Sequence, residues 1–155
     1  MKKTKKLKIS NKKKLLLLII FAMFFSASFC AYKSWKEMDI IKIVWRESRG
    51  FHLRHNKPED ARGLMQIRPC VLQEWNEFHP KDSHTPAQLF IAHINIKIGT
   101  WYFQKRCPQM LRAYNIPDTK YYKVICYNAG ISRAIQHYRD GRKLPPITKK
   151  YLKGF

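Results

Sequence analysis

Ile40-Ile41-Lys42-Ile43-Val44-Trp45-Arg46-Glu47-Ser48 is the stretch on which the fold turns. Ile40, Ile43 and Val44 fall at helical spacing, and Ile41 and Trp45 widen the stripe. Glu47 is the next residue on that stripe. Ser48 and Gly50 mark the end of the helix, so the carboxylate lies in its last turn on the inward face. Desolvation there disfavours the charged form and raises the pKa, and the negative end of the helix dipole acts the same way. An acid held protonated near neutral pH is suited to protonating a poor leaving group. A structural ion pair with Arg46, Arg49 or Arg62 is the alternative that position alone leaves open.

Downstream, residues from Phe51 to Arg62 are polar, charged and broken by Pro58, which reads as a loop; Gly63-Leu64-Met65-Gln66-Ile67 is a short apolar run after it. Pro69 opens a helix carrying Leu72, Trp75 and Phe78. Thr85-Pro86-Ala87-Gln88 combines an N-cap, a first-position proline and a capping-box glutamine, and predicts a long helical region to Cys107. Another helix is expected from Asp118, as its cap, through Tyr121, Val124 and Ile125 to Asn128, with Gly130 as its stop. Ser132 is expected to cap the next, which ends at Gly141. Pro145-Pro146 then breaks the chain before a closing segment around Tyr151. Clean alternation never exceeds a few residues, so the domain is expected to be mainly α.

Upstream, eight lysines within residues 1–14 precede an apolar run from Leu15 to Phe25 that continues to Tyr32. A basic n-region followed by an apolar h-region reads as an export signal. Residues 1–32 are therefore expected to be a signal peptide or, being close to the ~20 residues of a membrane span, an anchor; residues 35–155 form one catalytic domain. Cleavage after Ser28 fits the small residues Ser26 and Ser28. The 155 residues carry a net charge of +21, and setting those lysines aside leaves +13. Such a field suits polyanions: nucleic acid, anionic lipid or an acidic cell wall. The export signal argues against nucleic acid and for an anionic envelope surface. Beyond the signal stand Cys70, Cys107 and Cys126. The plainer expectation is buried free thiols, the alternative one disulfide with a thiol left over. No Cys or His spacing suggests a metal site.

Four short blocks, in order, resemble the catalytic domain of the soluble lytic transglycosylase family. They are Glu47-Ser48 at a helix end; Ala61-Arg62-Gly63-Leu64-Met65-Gln66-Ile67 followed by Pro69; Asn95-Ile96 with Gly99 and Tyr102; and Tyr127-Asn128-Ala129-Gly130, with Tyr151 where the family carries a second cleft tyrosine. Together they span nearly the whole chain after the signal. The resemblance implies a lysozyme-like fold with a deep glycan cleft and peptidoglycan as substrate. It implies Glu47 as the single catalytic acid and base, and neither metal nor organic cofactor. Met65 would be an apolar wall of the cleft, and Gln66 and Asn128 partners of the glycan's acetamido and hydroxyl groups. Tyr127 would orient Glu47, and Tyr151 would stack on a sugar or close the cleft. A single short domain behind a signal is similar to the members that serve envelope-spanning secretion, conjugation or pilus machinery.

Two positions depart from the family pattern. Arg49 or Gly50 looks inserted, as a tight turn. Lys57 stands where many members have a serine that contacts the sugar or the glutamate region. Asp60 and Glu59 read as surface charges, so no second carboxylate is expected in the cleft. That absence favours ring closure by the substrate's own C6 hydroxyl over hydrolysis. The rival readings are a muramidase of the same fold and a non-catalytic cationic wall-binding protein.

Overall fold

The computed structural model describes residues 37–155, and all but the first two of these belong to one compact unit, Asp39–Phe155. The expected signal or anchor, 1–32, lies outside the described residues. Among the described residues no helix is long and apolar enough to cross a membrane.

The fold is mainly α. Helix α1 (37–48) is followed by a two-residue hairpin, β1 (His55–Asn56) and β2 (Ala61–Arg62), paired antiparallel with His55 opposite Arg62. Then come α2 (Pro69–Phe78), α3 (Ala92–Trp101), α4 (Cys107–Ala113), α5 (Lys120–Ala129), α6 (Ile131–Asp140) and α7 (Pro146–Leu152). The hairpin sits inside the stretch expected to be a loop. Its turn is a 3-10 segment, Lys57–Glu59, ended by Asp60 in the left-handed region. Asp60 accepts from His55 (2.7 Å) and Arg62 (2.9 Å), which closes the turn.

Thr85 and Gln88 form part of the expected box, with the Thr85 N–H donating to Gln88 Oε1 (2.8 Å). The segment they open is a short 3-10 turn, Pro86–Phe90, and the chain extends at Ile91 before α3 begins. The helical path does not stop at Cys107 either. Pro108 has no N–H to give to the helix, and just before it the path widens into a π-turn over Tyr102–Arg106 and continues as α4 to Ala113. Two expected caps are replaced. Thr119 Oγ1 accepts from Tyr122 N at the start of α5, while Asp118 pairs with Arg112 (2.7 Å). Gly130, at φ +82°, ends α5 and begins α6, so Ser132 lies within the helix.

Two buried clusters hold the unit together. One joins Ile40 and Ile43 of α1 to Met65, Ile67, Trp75, Ile98 and Val124; the other gathers Cys107, Leu111, Ile125, Cys126, Ala134 and Leu144. Helix α5 supplies both, Val124 to the first and Ile125 with Cys126 to the second. Each fully buried Ile or Leu contributes about 1.5–3 kcal/mol. An exposed pair such as Arg112–Asp118 is worth about 1 kcal/mol at most. Apolar packing around α5 therefore dominates.

Candidate active site

A cleft of about 450 Å³ opens between the hairpin loop and helices α5 to α7, with Glu47 in its lining. Ile40 and Ile43, buried on the same helix, turn the α1 stripe inward and carry Glu47 with it. Ser48 finishes the helix: its hydroxyl donates to the Val44 carbonyl (3.1 Å) and accepts from Gly50 N (3.2 Å). Arg49 and Gly50 then both take positive φ, +58° and +80°, and turn the chain sharply away. The residue that looks inserted in the sequence is absorbed in that turn.

Burial raises the Glu47 carboxyl to about 7. Against it work the Tyr151 hydroxyl, which approaches the carboxyl and favours its charged form, and the charges of Arg68 and Arg54; Glu59 adds to the rise. The Tyr151 hydroxyl is buried and meets no group with full hydrogen-bond geometry, so its contact with Glu47 is an incomplete bond. It is correspondingly weak.

The wall opposite Glu47 comes from the Gly63–Ile67 run, and its shape has a specific cause. Asn95, 0 % exposed on α3, accepts from Met65 N (2.7 Å) and donates to the carbonyls of Arg62 and Leu89 (2.8 Å each). One buried amide thus satisfies three backbone groups of two loops. Gly63, at φ +76°, must be glycine twice over, since a side chain there would also strike Leu89 O and Asn95. Gly99, one turn after Asn95, leaves the space that the Met65 side chain fills. Gln66 has φ +48°, and its Nε2 donates to Gly63 O (2.9 Å) and Arg54 O (3.1 Å). Both amide hydrogens are used in holding the turn.

The sequence-predicted residues divide on this frame. Glu47, Gln66, Tyr127 and Asn128 line the cleft together. Met65 does not: it is 0 % exposed and packs behind the wall against Gly99, so it shapes the cleft without lining it. Tyr127 does not orient Glu47 through a hydrogen bond. Its hydroxyl donates to the Met65 carbonyl (2.7 Å), because that acceptor in the turn lies directly across from α5. The group that faces Glu47 is Tyr151, which is buried rather than open for stacking on a sugar; its ring stacks on Phe155, with the Arg46 guanidinium 5.4 Å from its centroid. Asn128 Oδ1 accepts from the buried Thr148 hydroxyl (2.9 Å), which fixes the amide of this cleft-lining residue.

Other lining residues were not singled out from sequence. Glu59, taken as a surface charge, lies in the lining with Asn56; Asp60 is held away in the hairpin turn. Arg68 joins the two walls, with its Nε 3.3 Å from Glu59 and its Nη2 donating to Asn128 O (2.9 Å). Tyr102, part of the third resembling block, reaches the lining from the π-turn. Lys57 is exposed and outside the lining. No local pattern marks Glu59; the 3-10 turn brings it over the cleft.

A family model described as the transglycosylase SLT domain matches residues 24–146. The chain belongs to this family. For the SLT domain the general activity is lytic transglycosylation of peptidoglycan, on a lysozyme-like, mainly α fold, in agreement with the helices and cleft of this chain. The match covers the Glu47, Gln66 and Tyr127 blocks of this SLT domain and ends before Tyr151. No curated protein matches the chain.

Proposed function

We propose that this SLT domain cleaves the bond between N-acetylmuramic acid and N-acetylglucosamine in peptidoglycan and leaves 1,6-anhydro ends, with Glu47 as both acid and base. The observation that carries the reading is a carboxyl raised to about 7 on the wall of an open cleft in a chain of this family. Near neutral pH a large share of Glu47 is protonated and can donate to the glycosidic oxygen. The substrate's acetamido group stabilises the positive charge at the anomeric carbon. Tyr151 and Arg68 favour ionised Glu47, which then takes the proton of the C6 hydroxyl as that oxygen closes the ring. Asn128, through its N–H groups, and Gln66, through its amide oxygen, bind glycan acetamido and hydroxyl groups.

A second reading, hydrolysis by the same acid, is favoured by the position of Glu59 in the cleft lining. Its pairing with Arg68 speaks against Glu59 as a base for water. Digestion of purified peptidoglycan and mass analysis of the products decides between them. Anhydro products are one water lighter than hydrolytic ones. Reducing ends alone overturn the transglycosylase reading, and intact glycan overturns both.

We place the protein outside the cytoplasm, delivered or anchored by residues 1–32, on the strength of the basic and apolar pattern of that segment. Work beside an envelope-spanning secretion, conjugation or pilus machine suits one short catalytic domain. Protease accessibility of the domain in spheroplasts tests the location; full protection there rejects it.

A further inference from the structure

Away from the cleft, the fold brings together two reactive side chains that the proposed chemistry does not use. Cys107 opens α4, and Cys126 lies in the second half of α5. Both are 0 % exposed and belong to one buried cluster with Leu111, Ile125 and Ala134. Burial, followed by the neighbouring Cys126 thiol, holds the Cys107 thiol well above its usual range. Both are free thiols in this structure, and Cys70 is exposed on α2 at the edge of the cleft.

We infer that Cys107 and Cys126 are partners in one disulfide that ties α4 to α5, with Cys70 left free. Cys107 and Cys126 share one buried cluster on two packed helices, whereas Cys70 lies exposed at the start of α2 in the cleft lining. The benefit of a bridge is to constrain the unfolded chain, and here it would fasten the second cluster on which α5 rests. A buried thiol with a raised pKa is a poor nucleophile. The bond therefore forms during folding, before the cluster closes. With a small disulfide as oxidant, one cysteine thiolate displaces a thiolate from it to give a mixed disulfide. The second cysteine thiolate then attacks the protein sulfur and releases the other. The protein gives up two protons and two electrons, and the oxidant becomes two thiols.

The inference is independent of the proposed activity and of export, and its test uses neither. The denatured, reduced full chain is refolded in mild detergent with reduced and oxidised glutathione, alkylated and digested with trypsin. Cleavage at Arg112, Lys120 and Lys123 puts Cys107 and Cys126 on separate peptides. The expected result is those two peptides joined, two hydrogens lighter than their sum, with Cys70 outside the link. Recovery of Cys107 and Cys126 fully alkylated, or a bridge running through Cys30 or Cys70, overturns the inference. The variant Cys70→Ser, altered at an exposed position, is expected to keep the link; its loss there also overturns it.

Discussion

Glu47 is held between opposing influences, and each gives a measurable sign. Burial pushes the carboxyl up to about 7, whereas Tyr151 and Arg68 pull it down. The acid step needs the protonated form, so kcat/KM on peptidoglycan is expected to fall as pH rises through about 7. Tyr151→Phe removes a lowering contact and is expected to move that limb to higher pH. Glu59→Gln removes a raising charge and should move it lower. Unmoved limbs in both variants would detach the pH profile from Glu47. Glu47→Gln is expected to lower the rate at least ~10²-fold, the usual scale for losing a general acid.

The same shift bears on stability. The folded chain keeps the Glu47 proton up to about 7 and the unfolded chain releases it near 4.5. Between those values the unfolded state binds fewer protons, so this residue's contribution to stability declines as pH rises. Glu47→Gln removes the penalty. Its melting temperature is expected to exceed that of the wild type by a few degrees at pH 8 and to match it closely at pH 4. An equal difference at both values would contradict the linkage.

At the scale of elements, the cleft depends on contacts that tie distant segments. Asn95 of α3 bonds Met65 N, Arg62 O and Leu89 O, and Tyr127 of α5 bonds Met65 O. Asn95→Ala leaves Met65 N and Leu89 O without partners, at ~1–3 kcal/mol each, while Arg62 O keeps its bond from Ile67 N. A loss of at least about 2 kcal/mol in urea unfolding is expected. Tyr127→Phe removes one bond only and is expected to cost about 1 kcal/mol, with a rate loss from a looser Gln66 turn. A rate loss without destabilisation would instead argue that Tyr127 touches the substrate.

Much of this was legible in the chain, for reasons tied to range. The α1 stripe that ends in Glu47 is local, and so are the glycines at 130 and 141 that close α5 and α6. Long-range partners were not. Whether Tyr127 or Tyr151 meets Glu47 depends on how α7 packs beside α5, which no periodicity encodes. Glu59 reads as a surface charge, and the turn that returns it to the cleft closes a hairpin whose two-residue strands are too short to show alternation. The helical path beyond Cys107 was not legible, because a π-turn leaves no residue pattern of its own.

For the molecule as a whole, charge governs where the cleft can work. The sequence carries +21, whereas the lining pairs Arg68 with Glu59. Binding to the wall is thus expected to come mostly from outside the cleft. Cosedimentation of Glu47→Gln with peptidoglycan should weaken several-fold between low salt and 0.5 M salt, where the screening length falls to a few ångströms, roughly 4 Å. Binding that is indifferent to salt would assign affinity to the cleft's polar contacts instead.

Glu47 sits on the first described helix, and the hydroxyl that answers it arrives from α7, 104 positions later in the chain. The setting of the acid therefore spans the described chain from end to end, and trimming the last helix would remove a lowering contact from Glu47 without touching the helix that carries it.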